Sequence, residues 1–181
     1  IDDTIILFLH NHMHYPILDN VMVAITYLGE FGLLWIVIAL LLCIFKKYRR
    51  YGVTMLCALI ITAMVANLVM KPLIERPRPF LDLPDLKLLI PPPKGFSFPS
   101  GHSSSSFVCA GILFGMNKKW GGLALFTAAL IAFSRVYLGV HYPSDVLVGM
   151  ILGLIIAVLS LKILYCWEEK HKNPMKVIRS R

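Results

Sequence analysis

Long apolar runs separated by short polar turns set the pattern of this chain. The runs at 51–70, 120–138 and 145–165 have about the 20 residues that an α-helix needs to cross a bilayer. A fourth run, 103–116, is apolar after four serines but is shorter, which favours a helix that begins below the membrane surface. The pattern therefore predicts a bundle of membrane-spanning helices.

The N-terminal part allows two interpretations. Residues 21–45 are apolar, but glycines and a glutamate interrupt the run at 29–32. Either one tilted span begins near Ile17, or an interfacial helix meets a shorter span near Phe31. Residues 1–30 are accordingly predicted to be an interfacial segment or a partial span.

Composition indicates an integral membrane protein rather than a soluble one. The chain has 181 residues, of which 57% are hydrophobic and only 15% are charged. We predict an all-α fold, a polytopic transmembrane bundle of five to six helices, within a single membrane-embedded domain over 1–181. The cysteines lie within or at the end of apolar runs and lack metal-ligand spacing: Cys43, Cys57, Cys109 and Cys166.

The net charge of +8 could suggest a nucleic-acid partner, but its placement indicates membrane topology. Three segments carry twelve of the 18 lysines and arginines: 46–50, 118–119 and 162–181. Since successive spans alternate in direction, these segments share one side, which the positive-inside rule assigns to the cytoplasm. Residues 168–181 are then a basic cytoplasmic tail. The loop 71–102 and the turn 138–145 lie together on the extracytoplasmic side.

The proline-rich stretch 71–102 is predicted to be a long functional loop. It carries two cations, Lys71 and Arg78, and ends in the tripeptide Ser100-Gly101-His102, directly before the predicted helix. A helix N-terminus offers backbone N–H groups and a positive dipole to an anion. Gly101 lets the backbone approach a phosphate closely, and Ser100 can add a hydroxyl donor. The same residues also suit a plain turn and N-cap.

Three further polar residues, Arg135, His141 and Asp145, surround the end of an apolar run. Charged groups are expensive at such a place and mark a functional site by default. The four-residue spacing puts His141 and Asp145 on one face of a helical turn. The carboxylate can then accept from one ring nitrogen and leave the other free to act as nucleophile or base. The alternative is a polar patch that caps two helix ends.

On the outer face these elements combine into the parts of a phosphoryl-transfer site. Three cations, a helix N-terminus and a carboxylate-oriented histidine can together hold and attack a phosphate. We see no carboxylate cluster suited to a metal, so we expect neither a metal nor another cofactor. Two residues within the loop, Glu75 and Arg76, either tune this pocket or have a surface role, and we expect the surface role.

The spacing of these residues resembles the type-2 phosphatidic acid phosphatase superfamily, the membrane relatives of the vanadium haloperoxidases. Its three motifs are Lys, six residues, Arg-Pro; then Pro-Ser-Gly-His; then Ser-Arg, five residues, His, three residues, Asp. In this chain they are met by Lys71, Arg78 and Pro79, by Pro99 to His102, and by Ser134, Arg135, His141 and Asp145. No motif position departs from the pattern, and the short chain is similar to small bacterial members.

The resemblance implies a role for each candidate residue. His141 is the nucleophile that forms a phosphohistidine, Asp145 orients it, and His102 is the general acid. The expected phosphate-binding groups are Lys71, Arg78, Ser100, Gly101 and Arg135. The charge distribution predicts this site at the extracytoplasmic face of a multi-pass protein of the cell membrane.

The resemblance also implies a lipid phosphate or pyrophosphate as substrate, and we expect undecaprenyl pyrophosphate or phosphatidylglycerophosphate. Two enzymatic alternatives use the same motifs: a broad-specificity phosphatidic acid phosphatase, and a lipid phosphotransferase in which a second lipid replaces water. A non-catalytic lipid-phosphate binder is the alternative from another class. Membrane lipids surround the protein, and no nucleic acid or obligatory protein partner is expected.

Overall fold

The structure is a computed structural model that describes residues 1–172, and all regular structure within them is helical. The helices are α1 (Asp2–Met13), α2 (Pro16–Leu28), α3 (Leu33–Ile44), α4 (Arg49–Met64), α5 (Lys71–Ile74), α6 (Pro79–Asp82), α7 (Gly101–Met116), α8 (Lys118–Tyr137) and α9 (Pro143–Lys172). A single 3₁₀ turn, Glu30–Gly32, joins α2 to α3, and a π-helical stretch, Val65–Met70, joins α4 to α5.

Helix α7 forms the centre of the bundle, with α4, α8 and α9 packed around it. Its middle is apolar and buried: Val108 and Ile112 are fully inaccessible. The helix α9 approaches it closely because two small residues face it. A Cβ added at Gly149 would lie 2.7 Å from the backbone oxygen of Ser100, and one at Gly153 would lie 2.5 Å from that of Ser104. Such small-residue contacts are typical of helix packing in membranes.

Three helical segments are long and apolar enough to cross a membrane: Arg49–Asp82, Lys118–Tyr137 and Pro143–His171. A fourth crossing results if α2 and α3, which meet at a bend of 42°, form one broken span. The predicted all-α polytopic bundle is therefore confirmed. By length and apolar character, three or four segments of residues 1–172 qualify as crossings, which is fewer than the five to six helices predicted. Helix α7 does not qualify because it has only 16 residues.

The polar groups of the bundle gather at its two ends. At one end Arg50 pairs with Glu168, and the hydroxyl of Tyr165 donates to the backbone oxygen of Gly115 at 3.3 Å. The turns that carry most of the basic residues thus share this end. The motif-bearing segments meet at the opposite end.

The last helix is longer than the pattern predicted. It continues to Lys172, so residues 168–172 are its final turns rather than the start of a tail. The pairing of Glu168 with Arg50 and the contact between the tilted rings of Trp167 and His171 explain the extension, because both hold side chains of this segment in helical geometry. The remaining predicted tail, 173–181, lies outside the described residues.

Candidate active site

The turn between α8 and α9 carries His141. Its backbone is fixed by α8, since the N–H groups of Val140 and His141 both donate to the backbone oxygen of Arg135, at 3.2 and 3.3 Å. Gly139 makes this tight reversal possible with a φ of 64°. The imidazole is almost completely buried, at 3% exposure.

Asp145 lies on the Nδ1 side of that imidazole. Its Oδ2 atom is 3.6 Å from Nδ1 of His141 and accepts from the backbone N–H of Tyr142 at 2.9 Å. The hydroxyl of Ser97 lies between the two side chains, because it donates to Oδ2 of Asp145 and is 3.3 Å from Nδ1 of His141. The predicted pair is therefore assembled, with Ser97 as an additional contact.

Burial sets the protonation of this histidine. It lowers the pKa of His141 to about 3, a shift that the Asp145 hydrogen bond opposes and the charges of Arg135 and Arg78 reinforce. The imidazole is consequently neutral at ordinary pH. Because its Nδ1 faces Asp145, its Nε2 carries the lone pair on the opposite side.

Arg78 borders that opposite side. Its Nη1 atom is 3.4 Å from Nε2 of His141 and donates to the backbone oxygen of Val140 at 2.9 Å. Two further donations, to the backbone oxygens of Gly95 at 2.9 Å and Lys94 at 3.2 Å, fix the guanidinium. A planar fork with this many fixed contacts is preorganised for an oxyanion.

Two more predicted cations face the same space. Arg135, at 3% exposure, donates from Nη1 to the hydroxyl of Thr26 at 2.6 Å. Its buried Nε has no hydrogen-bond partner within residues 1–172, which leaves one donor for a ligand. Lys71, at the start of α5, borders the same cavity. Thr26 connects α2 to the site, a contact that sequence spacing did not indicate.

The N-terminus of α7 forms the remaining wall. Ser100 is its N-cap, and its hydroxyl accepts from the N–H of Ser103 at 3.4 Å and from the Ser103 hydroxyl at 3.0 Å. Its own N–H donates to the backbone oxygen of Asp145 at 3.1 Å, which joins this wall to the histidine turn. Ser100 is fully buried, whereas Gly101 and His102 border the cavity.

These groups open into one cavity of about 1050 Å³. Its polar end is bordered by six of the predicted site residues: Lys71, Arg78, Gly101, His102, Arg135 and His141. The rest of the lining is mostly apolar and comes largely from α4, with Ile36 of α3 and Leu56, Leu59 and Ile60 of α4 among its residues. The arrangement suits an amphipathic molecule with a phosphate at one end and a hydrocarbon chain at the other.

Arg76 has a different place from the one predicted. Its side chain is 28% exposed, but it is tied to the site, because it donates from Nη1 to Oδ1 of Asp145 at 2.7 Å and from Nη2 to Oδ2 of Asp2 at 2.8 Å. Its guanidinium also stacks on the ring of Tyr142, 3.9 Å from the centroid. Its position two residues before Arg78 in an extended segment was the available signal, since alternate residues of such a segment point the same way.

Comparison with known proteins gives this arrangement a family. The profile of the PAP2 superfamily matches residues 47–168. An undecaprenyl-diphosphatase of Sulfolobus acidocaldarius is 37% identical over 154 residues, covering 84% of this chain and 74% of that protein. The crystal structure of Aquifex aeolicus LpxE superimposes with a TM-score of 0.76 at 31% identity, covering 87% and 92% of the two chains.

A second solved structure, a transmembrane PAP2-type phosphatidylglycerolphosphate phosphatase from Bacillus subtilis, gives a TM-score of 0.73 at 33% identity. It covers 93% of this chain and 85% of its own. The molecule is thus a multi-pass membrane phosphatase that acts on lipid phosphates without a metal. The chain belongs to the PAP2 superfamily.

Proposed function

We propose that this chain removes phosphate from a polyprenyl pyrophosphate or from phosphatidylglycerophosphate through a phosphohistidine on His141. The observation that carries the proposal is the position of His141 between two fixed groups. Asp145 faces its Nδ1, and Arg78 lies 3.4 Å from its Nε2, at the polar end of the cavity. A neutral Nε2 beside a preorganised cation is the arrangement that in-line attack on phosphorus requires.

In the first step Nε2 of His141 attacks phosphorus, and the bond from phosphorus to the leaving oxygen breaks. The electron pair of that bond goes to the leaving oxygen, which takes a proton from His102. Lys71, Arg78, Arg135 and the N–H of Gly101 hold the equatorial oxygens, and the capping role of Ser100 keeps that N–H in place. Asp145 stabilises the positive charge that develops on the attacking ring.

In the second step water replaces the histidine. His102, now neutral, accepts a proton from the water as it attacks phosphorus, and the bond to Nε2 of His141 breaks. Inorganic phosphate leaves, and both histidines return to their starting states. If another lipid took the place of water, the same site would act as a phosphotransferase.

The substrate class follows from the shape of the cavity. Its apolar part is lined largely by α4, with Ile36 of α3, so the hydrocarbon chain of a lipid fits there while the phosphate meets the cations. Undecaprenyl pyrophosphate and phosphatidylglycerophosphate both have this form, and the two relatives named for those substrates support them equally.

The orientation in the membrane rests on the distribution of charge. We propose that the end bearing Arg50, Lys118 and Lys119 faces the cytoplasm, with the C-terminus on that side and the active site on the extracytoplasmic side. A reporter enzyme fused to the C-terminus, active only in one compartment, tests this arrangement. Activity of an extracytoplasmic reporter would reverse it.

The function itself is tested by phosphate release from purified protein in detergent with EDTA present. The panel contains undecaprenyl pyrophosphate, phosphatidylglycerophosphate, phosphatidic acid and a soluble phosphate ester. We expect release from one of the first two to exceed release from the others. Similar rates on every lipid would indicate a broad-specificity phosphatidic acid phosphatase, and a lipid product with little free phosphate would indicate a transferase. No turnover by folded protein would overturn the proposal.

A further inference from the structure

The bend between α2 and α3 brings an acidic side chain to His102. Glu30 is the first residue of the 3₁₀ turn at this bend, and its Oε2 atom lies 3.6 Å from Nε2 of His102. That nitrogen is buried and has no hydrogen-bond partner within residues 1–172. The carboxylate of Glu30 is therefore the acidic group positioned to pair with it.

The backbone of the bend is shaped to this contact. The ring of His102 lies directly against Gly29, where an added Cβ would be 2.7 Å from Cδ2 of the ring. Two residues later, Phe31 adopts a φ of 50° although it is not glycine, and its side chain is 90% exposed. This conformation is unfavourable for a bulky residue and gains no packing there, so it is typical of a functional constraint.

His102 needs such a partner because its other charged neighbours are positive. Burial of the ring disfavours its charged form most, and the charges of Arg135 from α8, Arg78 before α6 and Lys71 in α5 add to that effect. Each of these groups disfavours a positive charge on the imidazole. A general acid must carry that charge until it donates its proton, so a nearby carboxylate favours the acid form.

We propose that Glu30 is a positioning residue for His102, which holds a proton on Nε2 and keeps the imidazolium form available for the leaving group. The proposal rests on the proposed function, in which His102 is the general acid. When the bond from phosphorus to the leaving oxygen breaks, the oxygen takes the electron pair and the proton from Nδ1. The ring becomes neutral with its remaining proton on Nε2, directed at Glu30.

This role has a chemical signature, because leaving groups differ in their need for a proton. The alcohol released from a phosphate ester is a poor leaving group unless it is protonated, whereas the phosphate released from a pyrophosphate leaves readily as an anion. Loss of Glu30 should consequently slow ester substrates much more than pyrophosphates. A contribution to phosphate binding through Arg135 would instead affect both substrates equally.

The experiment compares Glu30→Gln with the intact protein on two lipids, dioctanoyl phosphatidic acid and farnesyl pyrophosphate. We expect kcat on phosphatidic acid to fall about tenfold or more and kcat on farnesyl pyrophosphate to change less than about threefold. The ratio of the two rates within one preparation does not depend on the fraction that is folded. The matched control is Glu75→Gln, an exposed glutamate at the same end of the bundle, which should leave the ratio unchanged.

The pH profile gives a second readout. Without the carboxylate the imidazolium of His102 loses its proton at lower pH. In Glu30→Gln the alkaline limb of the pH profile of kcat on phosphatidic acid should therefore move to lower pH. Glu30→Asp keeps the charge on a shorter side chain. It should therefore partly restore the ratio of kcat on the two lipids and the position of the alkaline limb. It also provides the test if Glu30→Gln does not fold.

Each outcome decides one proposal. Equal losses on the two substrates, or no loss on either, would overturn the role of Glu30 while the active wild-type protein upholds the proposed function. An unchanged alkaline limb in Glu30→Gln would also overturn it. Failure of the folded wild-type protein to release phosphate from both of these lipids, and also from undecaprenyl pyrophosphate and phosphatidylglycerophosphate, would overturn the proposed function, and the role of Glu30 with it.

Discussion

Arg76 donates a hydrogen bond of 2.7 Å to Oδ1 of Asp145, the carboxylate that faces His141. The other nitrogen of the same guanidinium binds Asp2, at the start of α1. The N-terminal helix is thereby connected to the proposed nucleophile through two ion pairs. The contacts of the site therefore include Arg76 and Asp2, which are not positions of the three motifs.

We expect Arg76→Ala to lower kcat about tenfold or more while KM changes less than about twofold, because Asp145 loses a partner that orients it. Arg76→Lys should restore little, since an ammonium cannot bind Asp2 and Asp145 with one fork. Steady-state kinetics on a lipid phosphate measures both constants. The matched control is Arg49→Ala, at the opposite end of the bundle, where the side chain donates, among residues 1–172, only to the backbone oxygen of Cys43. A raised KM with unchanged kcat would instead place Arg76 in contact with substrate.

The attachment of α1 should depend on pH through Asp2. Burial by itself would raise the pKa of Asp2, but hydrogen bonds from Ser144 and Arg76 outweigh it and lower the pKa below its ordinary 3.8. A carboxyl group with a lowered pKa in the folded state stabilises the protein above its unfolded pKa, and that stability disappears as the pH falls through the folded value.

The intact protein should therefore be more thermostable than Asp2→Asn near neutral pH, by about 1 kcal/mol or less because the pair is partly exposed to solvent. The difference should shrink as the pH falls from about 5 to about 3. Thermal unfolding in detergent across this range measures it. A difference that stays constant with pH would contradict the role assigned to the Asp2 charge.

The cations of the site should bind vanadate, which mimics the trigonal bipyramidal phosphoryl group. We expect Lys71→Gln to raise the vanadate concentration for half inhibition about tenfold or more, because one charge contact to the oxyanion is lost. The matched control is Lys87→Gln, an exposed lysine in the same loop, which should leave inhibition unchanged. Equal effects of the two substitutions would show that vanadate binding depends on the overall positive charge of this region and not on a contact with Lys71.

The packing of α9 on α7 gives a prediction on stability. At Gly153 an added Cβ would meet the backbone oxygen of Ser104 at 2.5 Å, whereas at Gly122 it would meet nothing within 4 Å. Alanine normally stabilises a helix relative to glycine by about 0.5–1 kcal/mol. Gly122→Ala should therefore keep or raise the melting temperature, and Gly153→Ala should lower it because the helices must separate. A comparable rise in both variants would contradict the close approach.

The sequence predicted the parts of the site that depend on short-range spacing. The four-residue separation of His141 and Asp145 and the glycine at the start of α7 are visible in the motif itself. The alternation of the spans then predicted that two distant polar stretches share one end of the bundle. Arg78, Arg135 and Lys71 followed from the same reasoning and border one cavity in the structure.

The contacts that sequence reasoning missed join residues far apart in the chain. Asp2 meets Ser144 across 142 positions, and Thr26 meets Arg135 across 109. No local pattern encodes such a contact, since it depends on how α1 and α2 pack on the finished bundle. Glu30 was hidden for the same reason, because it was evident only as an interruption of an apolar run. The extension of α9 similarly depends on Arg50, which pairs with Glu168.

The central claim, that His141 carries the phosphoryl group, is tested most directly by trapping the intermediate. We would mix His102→Ala with farnesyl pyrophosphate, quench at alkaline pH and locate the phosphate by peptide mass spectrometry. This variant should accumulate the intermediate, because the leaving group needs little protonation while the attacking water loses its base. We predict phosphate on His141 in this experiment. A folded His141→Ala variant should show neither a phosphorylated peptide nor turnover. Phosphate on another residue, or sustained turnover by His141→Ala, would contradict it.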